Sequence, residues 1–160
     1  MSILTNFEKV RDEFNVAFGV KQNEELQKDL FDTDPKLVNY RLSLINEEVQ
    51  ELNDAIKNKD IIETIDGLTD ILYVVYGMYT ALGINADDAY DLVHKSNMSK
   101  LCKDEEEAKL TVEFYKKDGR YDSPDYRLSN DGKYYVVYNK STSKILKSIN
   151  YSPVKFDSIM

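Results

Sequence analysis

The sequence predicts an all-α fold, an antiparallel helical bundle of four to five helices with a small C-terminal β-ribbon extension. Two long segments place apolar residues at alternating steps of four and three, which is the spacing of one face of an α-helix. Helix start and stop signals bracket both segments. After Gly119 the pattern changes, and tyrosine and valine run together as they do in strands.

The first two predicted helices have clear boundaries. The first begins at a capping box of Thr5 and Glu8 and ends at Gly19. The second covers about residues 35–57, because Asp34 can cap its amino end and the proline that follows suits the first helical position. We expect this helix to pack along its whole length through one apolar stripe: Val38, Leu42, Ile45, Val49, Leu52 and Ile56.

The third predicted helix follows a short polar turn, begins after Asp60 and ends at Gly83. Long helices joined by a short turn pack side by side in opposite directions, so we expect this helix to pair with the second. Its apolar stripe has the same spacing: Ile61, Ile65, Leu68, Leu72, Val75, Tyr79 and Leu82.

Further elements complete the prediction. Asn85 caps a fourth helix over about residues 86–97, and a charged run over residues 103–117 predicts a fifth. Residues 134–138 and 145–149 predict two strands that form a small ribbon. We therefore divide the chain into a helical domain, residues 1–118, and a C-terminal hairpin and tail, residues 119–160, packed on the same domain.

Composition narrows the class of protein. The 160 residues include 29 acidic and 21 basic ones, a net charge of -8 that repels phosphate backbones, so we expect no nucleic-acid partner. The longest apolar run, residues 71–84, is shorter than the roughly 20 residues that span a bilayer, so we expect no membrane association. Cys102 is the single cysteine and cannot form an internal disulfide, which favours a reducing, cytoplasmic location.

Two rows of carboxylates are the main candidate site. Members of a row lie three or four residues apart and share a helix face. The third helix is apolar on all sides beyond its acidic residues, so we expect the row to run into the interior, where carboxylates are costly unless a cation neutralises them. The rows are Glu47, Glu48 and Glu51 on the second helix, and Glu63, Asp66 and Asp70 on the third.

Other interpretations of these acids exist. Taken singly, the string from Glu47 to Glu51 is typical of a solvated helix surface, and Glu63 could complete a capping box with Asp60. Aspartate is unfavourable inside helices, so Asp66 and Asp70 point to a site. Two rows on consecutive antiparallel helices favour a metal. A non-catalytic acidic module that mimics DNA is the alternative of another class, and it would spread its acids over an exposed face.

The motifs resemble those of a known superfamily. The string Glu47-Glu48-Val49-Gln50-Glu51, followed by Glu63-Thr64-Ile65-Asp66, is similar to the EExxE and ExxD signature of the all-α nucleoside triphosphate pyrophosphohydrolases. These include MazG, the dimeric dUTPases and phosphoribosyl-ATP pyrophosphohydrolase. Residues 41–48, 66–77 and 93–100 resemble the MazG-like branch with dUTPase-type activity. The resemblance covers roughly residues 5–100 and 144–156, and the segment 101–143 is longer than the family leads us to expect.

The resemblance implies a magnesium-dependent hydrolase. It would convert a nucleoside triphosphate such as dUTP to the monophosphate and pyrophosphate, and phosphoribosyl-ATP pyrophosphohydrolase activity is the alternative within the class. The implied Mg²⁺ ligands are Glu48, Glu51, Glu63 and Asp66, with Asp70 as a further candidate, and Glu47 would orient the attacking water. The short gap between the motifs leaves open whether Glu63 and Asp66, or Asp66 and Asp70, are the ligands from the third helix.

Residues outside the acidic rows are candidates for substrate binding. Arg41, Lys95 and Lys100 could hold phosphate oxygens, and Asn97 could meet the edge of a base. The alternatives are solvated surface for the cations and a helix C-cap for Asn97. The long apolar stripes exceed what one chain can cover, and the superfamily assembles from several subunits. We therefore expect a homodimer or homotetramer with nucleotide sites near the subunit junction.

Overall fold

The computed structural model describes residues 2–160, which are mostly helical and end in a three-stranded antiparallel sheet and a short tail. The chain separates into two compact units: the residues up to Ala89 together with Asp157–Met160, and Tyr90–Phe156. Within residues 2–160 no single helix is long and apolar enough to cross a membrane. Two consecutive helices, Ile61–Leu82 and Ala86–Met98, meet that test only together, as a bent pair.

The first unit opens with an N-terminal helix whose predicted start is confirmed. The Thr5 hydroxyl accepts a hydrogen bond from the Glu8 N–H, and the Glu8 carboxylate accepts one from the Thr5 N–H. The helix consists of α1 (Asn6–Glu8), a π-helical segment (Lys9–Phe14) and α2 (Asn15–Phe18), and it ends at Gly19 with a φ of 65°. The sequence pattern did not predict the π-helical segment.

The two long helices of the first unit also have the predicted boundaries. A short helix α3 (Leu30–Thr33) precedes α4 (Pro35–Lys57), where the Asp34 carboxylate accepts a hydrogen bond from the Leu37 N–H at 3.2 Å. Helix α5 (Ile61–Leu82) is capped in the same way by Asp60 and ends at Gly83, whose φ of 72° suits glycine.

Helices α4 and α5 run antiparallel, as the short turn between them predicted. Two glycines of α5 face α4: a Cβ atom on Gly67 would lie 3.3 Å from the Leu52 Cα, and one on Gly77 would lie 2.7 Å from Nη1 of Arg41. Gly77, the later of the two glycines, lies against Arg41, which comes earlier on α4 than Leu52. The two helices therefore run in opposite directions. The missing side chains let the two helices approach closely.

The apolar stripe of α4 does not pack along its whole length, so that prediction is wrong. Val38, Ile45 and Leu52 are half-buried, but alternate members of the stripe are exposed. An amphipathic stripe spans 100° or more of a helix surface, which is wider than the contact with one neighbouring helix. The exposed residues of both helices form what we call the apolar face: Leu42, Val49, Ile56, Ile65, Leu68 and Leu72.

Helix α6 (Ala86–Met98) begins in the first unit and continues into the second. The Asn85 side chain accepts hydrogen bonds from the N–H groups of Asp87 and Asp88, which confirms the predicted start. The helix extends beyond Asn97, so the interpretation of Asn97 as a C-cap is wrong. The Ser99 hydroxyl instead donates to the Ser96 carbonyl just after the helix end.

The second unit packs helix α7 (Glu105–Asp118) against a sheet of three strands in the order β1 (Pro124–Leu128), β2 (Tyr135–Asn139) and β3 (Lys144–Leu146). Tyr126 pairs with Val137, which pairs in turn with Leu146. The predicted ribbon contained only the last two strands, so β1 is an addition. The core of this unit lies between α7 and the sheet and contains Cys102, Ala108, Val112, Tyr115, Val137 and Leu146.

Candidate metal and nucleotide site

Carboxylates of α4 and α5 lie at the same level of the helical pair. The contact of Gly67 with Leu52 brings the segment of α4 around Glu48 level with the segment of α5 around Asp70. The charges of Asp66 and Asp70 act on Glu48 across the pair, together with those of its own helix neighbours Glu47 and Glu51. We call these five residues the acidic cluster.

The carboxyl group of Glu48 is both partly buried and surrounded by other negative charges. Burial raises the pKa of its carboxyl group, and the negative charges of Glu51, Asp70, Glu47 and Asp66 raise it further. Its Oε2 atom is buried and has no hydrogen-bond partner among the described residues. A buried anionic oxygen without a donor is costly, and a bound cation would remove that cost.

Asp70 is the second half-buried carboxylate of the cluster. Its pKa is raised mainly by burial, and the charge of Asp66 and a hydrogen bond with Asp66 raise it further. Neighbouring carboxylates repel each other, and a bound cation would relieve this repulsion. The interior position that the sequence predicted is thus found at Asp70 and Glu48, whereas Glu47, Glu51 and Asp66 are exposed.

Glu63 lies apart from the acidic cluster. It is exposed in the first turn of α5, and its N–H donates to the Asp60 carboxylate at 3.1 Å. Its carboxylate is not among the charges that shift the pKa of Glu48 or Asp70 in the described part of the chain. The structure thus groups Asp66 and Asp70 with the α4 carboxylates and gives Glu63 a local capping contact.

The described carboxylates of the acidic cluster do not enclose a common point. Among residues 2–160 no three acidic, histidine or cysteine side chains surround a common point closely enough to hold a metal ion. The donor set nevertheless suits Mg²⁺, which prefers oxygen, keeps several water ligands and takes one or two carboxylates together with substrate phosphates. The unpartnered Oε2 of Glu48 gives such an ion a direct ligand.

Arg41 lies in the interior instead of on the edge of the acidic face. Only 7% of its surface is exposed, and burial lowers the pKa of the guanidinium. Its side chain lies against Gly77 and lines a cavity of about 350 Å³, whose other walls carry Phe14, Tyr40 and Tyr73. On α4 it precedes Glu48 by seven residues, or about 10 Å along the helix axis.

Comparison with known proteins identifies the family. A family model described as "Phosphoribosyl-ATP pyrophosphohydrolase" matches residues 11–97, which is more than half of the chain. The chain belongs to this family. The matched segment contains α4, α5 and every member of the acidic cluster.

The family is part of the all-α nucleoside triphosphate pyrophosphohydrolase superfamily that the motifs resemble, and it gives the chain a pyrophosphohydrolase-type activity. The chain is also 30% identical to a full-length relative, with 100% of each chain covered. That relative is "Uncharacterized protein L479" of Acanthamoeba polyphaga mimivirus, whose name states no activity.

The remaining candidate substrate ligands of this pyrophosphohydrolase family member lie in the second unit. Lys95 and Asn97 are exposed on α6, and Lys100 follows the helix with its carbonyl accepting a hydrogen bond from the Ser148 N–H at 3.1 Å. Lys95 also lines a cavity of about 200 Å³ with Ser96 and Ser99. The phosphate or base contacts of these three residues stay predictions.

Proposed function

We propose that the protein is a magnesium-dependent nucleoside triphosphate pyrophosphohydrolase that converts a substrate such as dUTP to the monophosphate and pyrophosphate. The observation that carries this proposal is the buried, unpartnered Oε2 of Glu48 among four further carboxylates, within the family-matched helical pair. A negative cluster of this kind favours a divalent cation, and the cation in turn favours a triphosphate.

The half-buried carboxylates Glu48 and Asp70 would hold the ion together with Glu51 and Asp66. Glu63 is the alternative ligand that the sequence motif supplies. When bound, Mg²⁺ neutralises charge on the phosphates and the leaving group and lowers the pKa of its bound water. The chain's own task is to hold these oxygens in register, which the close contact of Gly67 with Leu52 supports.

Glu47 precedes Glu48 on α4 and is exposed, so it can reach a water molecule at the edge of the cluster. In the proposed reaction Glu47 accepts a hydrogen bond from this water and takes its proton. The water oxygen bonds to the α-phosphorus, and the bond from that phosphorus to the bridging oxygen breaks. Pyrophosphate leaves, and Glu47 returns the proton to solvent.

Phosphoribosyl-ATP pyrophosphohydrolase activity is the second candidate, and the family match favours it. Such an enzyme would use the same carboxylates and differ in its base and ribose contacts. A non-catalytic DNA mimic has less support, because Glu48 and Asp70 are half-buried and the charge of Asp70 acts on Glu48.

The apolar face supports a further part of the proposal, assembly as a homodimer or homotetramer. Its leucines are about half exposed in the single chain, 51% for Leu68 and 54% for Leu72. Large exposed apolar patches are typical of interfaces, so these exposed leucines support assembly. We place the assembled enzyme in the cytoplasm.

The test is release of pyrophosphate in the presence of Mg²⁺ from the common ribo- and deoxyribonucleoside triphosphates and from phosphoribosyl-ATP. Glu48→Gln and Asp66→Asn should each lower kcat at least 100-fold, since loss of groups that merely support a metal ligand already costs about 10–100-fold. Far-UV circular dichroism should be unchanged. Glu113→Gln, an exposed acid on α7, is the matched control and should keep full activity. Turnover retained in both cluster variants would refute the assignment.

A further inference from the structure

The side chain of Arg41 is buried against Gly77 and has no polar partner among residues 2–160. Its Nε atom is buried without a hydrogen bond, and no ion pair or hydrogen bond of its side chain exists among the described residues. Among the described residues, its guanidinium lies over the ring of Tyr40, with Cζ 5.9 Å from the ring centroid. Arg41 is 7% exposed as a residue, and its buried Nε donor is costly to leave unpaired, so a ligand with acceptor atoms would stabilise the side chain.

The cavity beside Arg41 has walls that suit a flat ring. Phe14 packs edge-on against Tyr73, with ring centroids 5.3 Å apart, and tilts against Phe18 at 4.5 Å. These rings and Tyr40 are partly exposed around the cavity. Aromatic walls stack on nucleobases without regard to base identity. A volume of about 350 Å³ is within the range of small-ligand pockets.

The position of the cavity fits one end of a nucleotide. Arg41 lies about two helical turns before Glu48 on α4, and Gly77 lies the same number of residues after Asp70 on α5. The cavity and the acidic cluster therefore occupy neighbouring levels of one helical pair. With the phosphates at the cluster, the base would reach the cavity. The spacing of about 10 Å along α4 between Arg41 and Glu48 sets Arg41 apart from the expected phosphate position.

We propose that this cavity binds the base of the substrate and that Arg41 selects bases with a ring carbonyl over adenine. The proposal rests on the proposed function with a substrate such as dUTP and is incompatible with the phosphoribosyl-ATP alternative, whose base is adenine. It replaces the phosphate-binding role that the sequence suggested for Arg41. A guanidinium only donates hydrogen bonds, so it pairs with the carbonyl oxygens of uracil, cytosine or guanine. Adenine has no carbonyl oxygen: its amino group is a donor, and only its ring nitrogens accept hydrogen bonds, so it offers the guanidinium fewer acceptors.

Binding of uridine 5′-monophosphate and adenosine 5′-monophosphate, measured by calorimetry with Mg²⁺ present, tests this selection because the two ligands share the same phosphate. We expect the uridine nucleotide to bind roughly tenfold more tightly, since a hydrogen bond to a charged group is worth at least that factor. Arg41→Met should remove this preference. Its binding of the uridine nucleotide should become weaker, while its binding of the adenosine nucleotide should stay unchanged. If Arg41→Met weakened the binding of both nucleotides equally, Arg41 would contact the shared phosphate, and the proposal would be overturned.

Gly77→Ala is the second variant, and it keeps the charge of Arg41. Its Cβ would lie 2.7 Å from Nη1 of Arg41, so the flexible guanidinium must move. Alanine is favoured over glycine in a helix, so the variant should fold. It should also lose the uridine preference, while Arg120→Met, whose arginine pairs with Asp118 on the surface, should keep it. A preference that survives both Arg41→Met and Gly77→Ala would overturn the proposal.

The base-binding proposal and the hydrolase proposal can fail independently of each other. If pyrophosphate release depends on Glu48 but base preference does not depend on Arg41, only the base-binding proposal fails. If base preference depends on Arg41 and no triphosphate is hydrolysed, the hydrolase proposal fails and the base site stands. If adenosine nucleotide binds as tightly as uridine nucleotide in the unmodified protein, the selection by Arg41 is refuted whatever the hydrolysis assay shows.

Discussion

A Cβ atom on Gly67 would lie 3.3 Å from the Cα of Leu52, so a glycine stands where the backbones of α5 and α4 approach closely. This contact fixes the relative position of the two helices along their axes. It thereby determines that the charges of Asp66 and Asp70 act on Glu48. The acidic cluster is thus a consequence of helix packing, and its response to a cation is measurable as stability.

Mg²⁺ should raise the Tm of the protein. An ion that binds the folded state at 100 times its Kd adds about 2.7 kcal/mol, which corresponds to roughly 5–11 °C in a chain of this size. Thermal unfolding with increasing Mg²⁺ against an EDTA reference measures the shift. Glu48→Gln should reduce the shift, while Glu113→Gln should not. A Tm that does not respond to Mg²⁺, with or without a non-hydrolysable nucleotide, would contradict a metal site.

Without metal, the acidic cluster should destabilise the fold as the pH rises. The pKa values of Glu48 and Asp70 are raised above the ordinary values of 4.5 and 3.8, so the folded state binds protons more tightly than the unfolded state. The favourable contribution is complete below the ordinary values and is lost as the pH rises through the raised values.

Glu48→Gln removes one of these titrating groups and its repulsion. Relative to the unmodified protein in EDTA, we expect its Tm to rise by roughly 1–2 °C at pH 7, a scale typical of like-charge pairs on helices, and not at pH 4. Thermal unfolding at several pH values measures this difference. A difference that stays constant between these pH values would show that the carboxyl group is not under electrostatic strain.

Two glycines with positive φ should differ in their tolerance of alanine. Gly83 has a φ of 72°, and its Cβ would lie 1.9 Å from the Glu25 carbonyl oxygen, whereas Gly119 has a φ of 77° and no atom near that position. Gly119→Ala carries only the left-handed backbone cost of about 1–2 kcal/mol. Gly83→Ala must also displace a backbone segment and should lower the Tm by several degrees more. If thermal unfolding showed the same decrease in Tm for both variants, the backbone segment around Glu25 would be able to move without a measurable cost.

Leu72→Glu should break the proposed assembly. Leu72 is 54% exposed on the apolar face, and a charge there would be buried without a partner in an oligomer. Light scattering after size exclusion should show a dimer or tetramer for the unmodified protein and a monomer for the variant. Leu110→Glu, at a leucine that is 50% exposed on α7, is the matched control and should leave the mass unchanged. A monomeric unmodified protein would count against the assembly.

Helix boundaries were predictable because local chemistry determines them. The Thr5 and Glu8 capping box, the Asp34 cap and the left-handed Gly83 all satisfy backbone groups within a few residues. Strand β1 was missed because Pro124–Leu128 has little alternation, and its pairing with β2 depends on residues seven to fifteen positions away. The two-strand ribbon was therefore incomplete.

Periodicity showed which side chains share a helix face but not what covers that face. Leu42 and Val49 belong to the stripe of α4 and are nevertheless exposed, since coverage depends on tertiary and quaternary neighbours. The burial of Arg41 was missed for the same reason. A signal for it existed in Gly77, because a glycine inside a helix costs about 1 kcal/mol and usually has a packing reason.

The two-turn spacing between Arg41 and Glu48 separates them by about 10 Å along α4. Substitutions at that distance, without shared partners, have nearly additive effects. Changes in the aromatic cavity can therefore accumulate without disturbing the carboxylates. The same helical pair can diversify its choice of ligand during evolution while its hydrolytic chemistry is inherited unchanged.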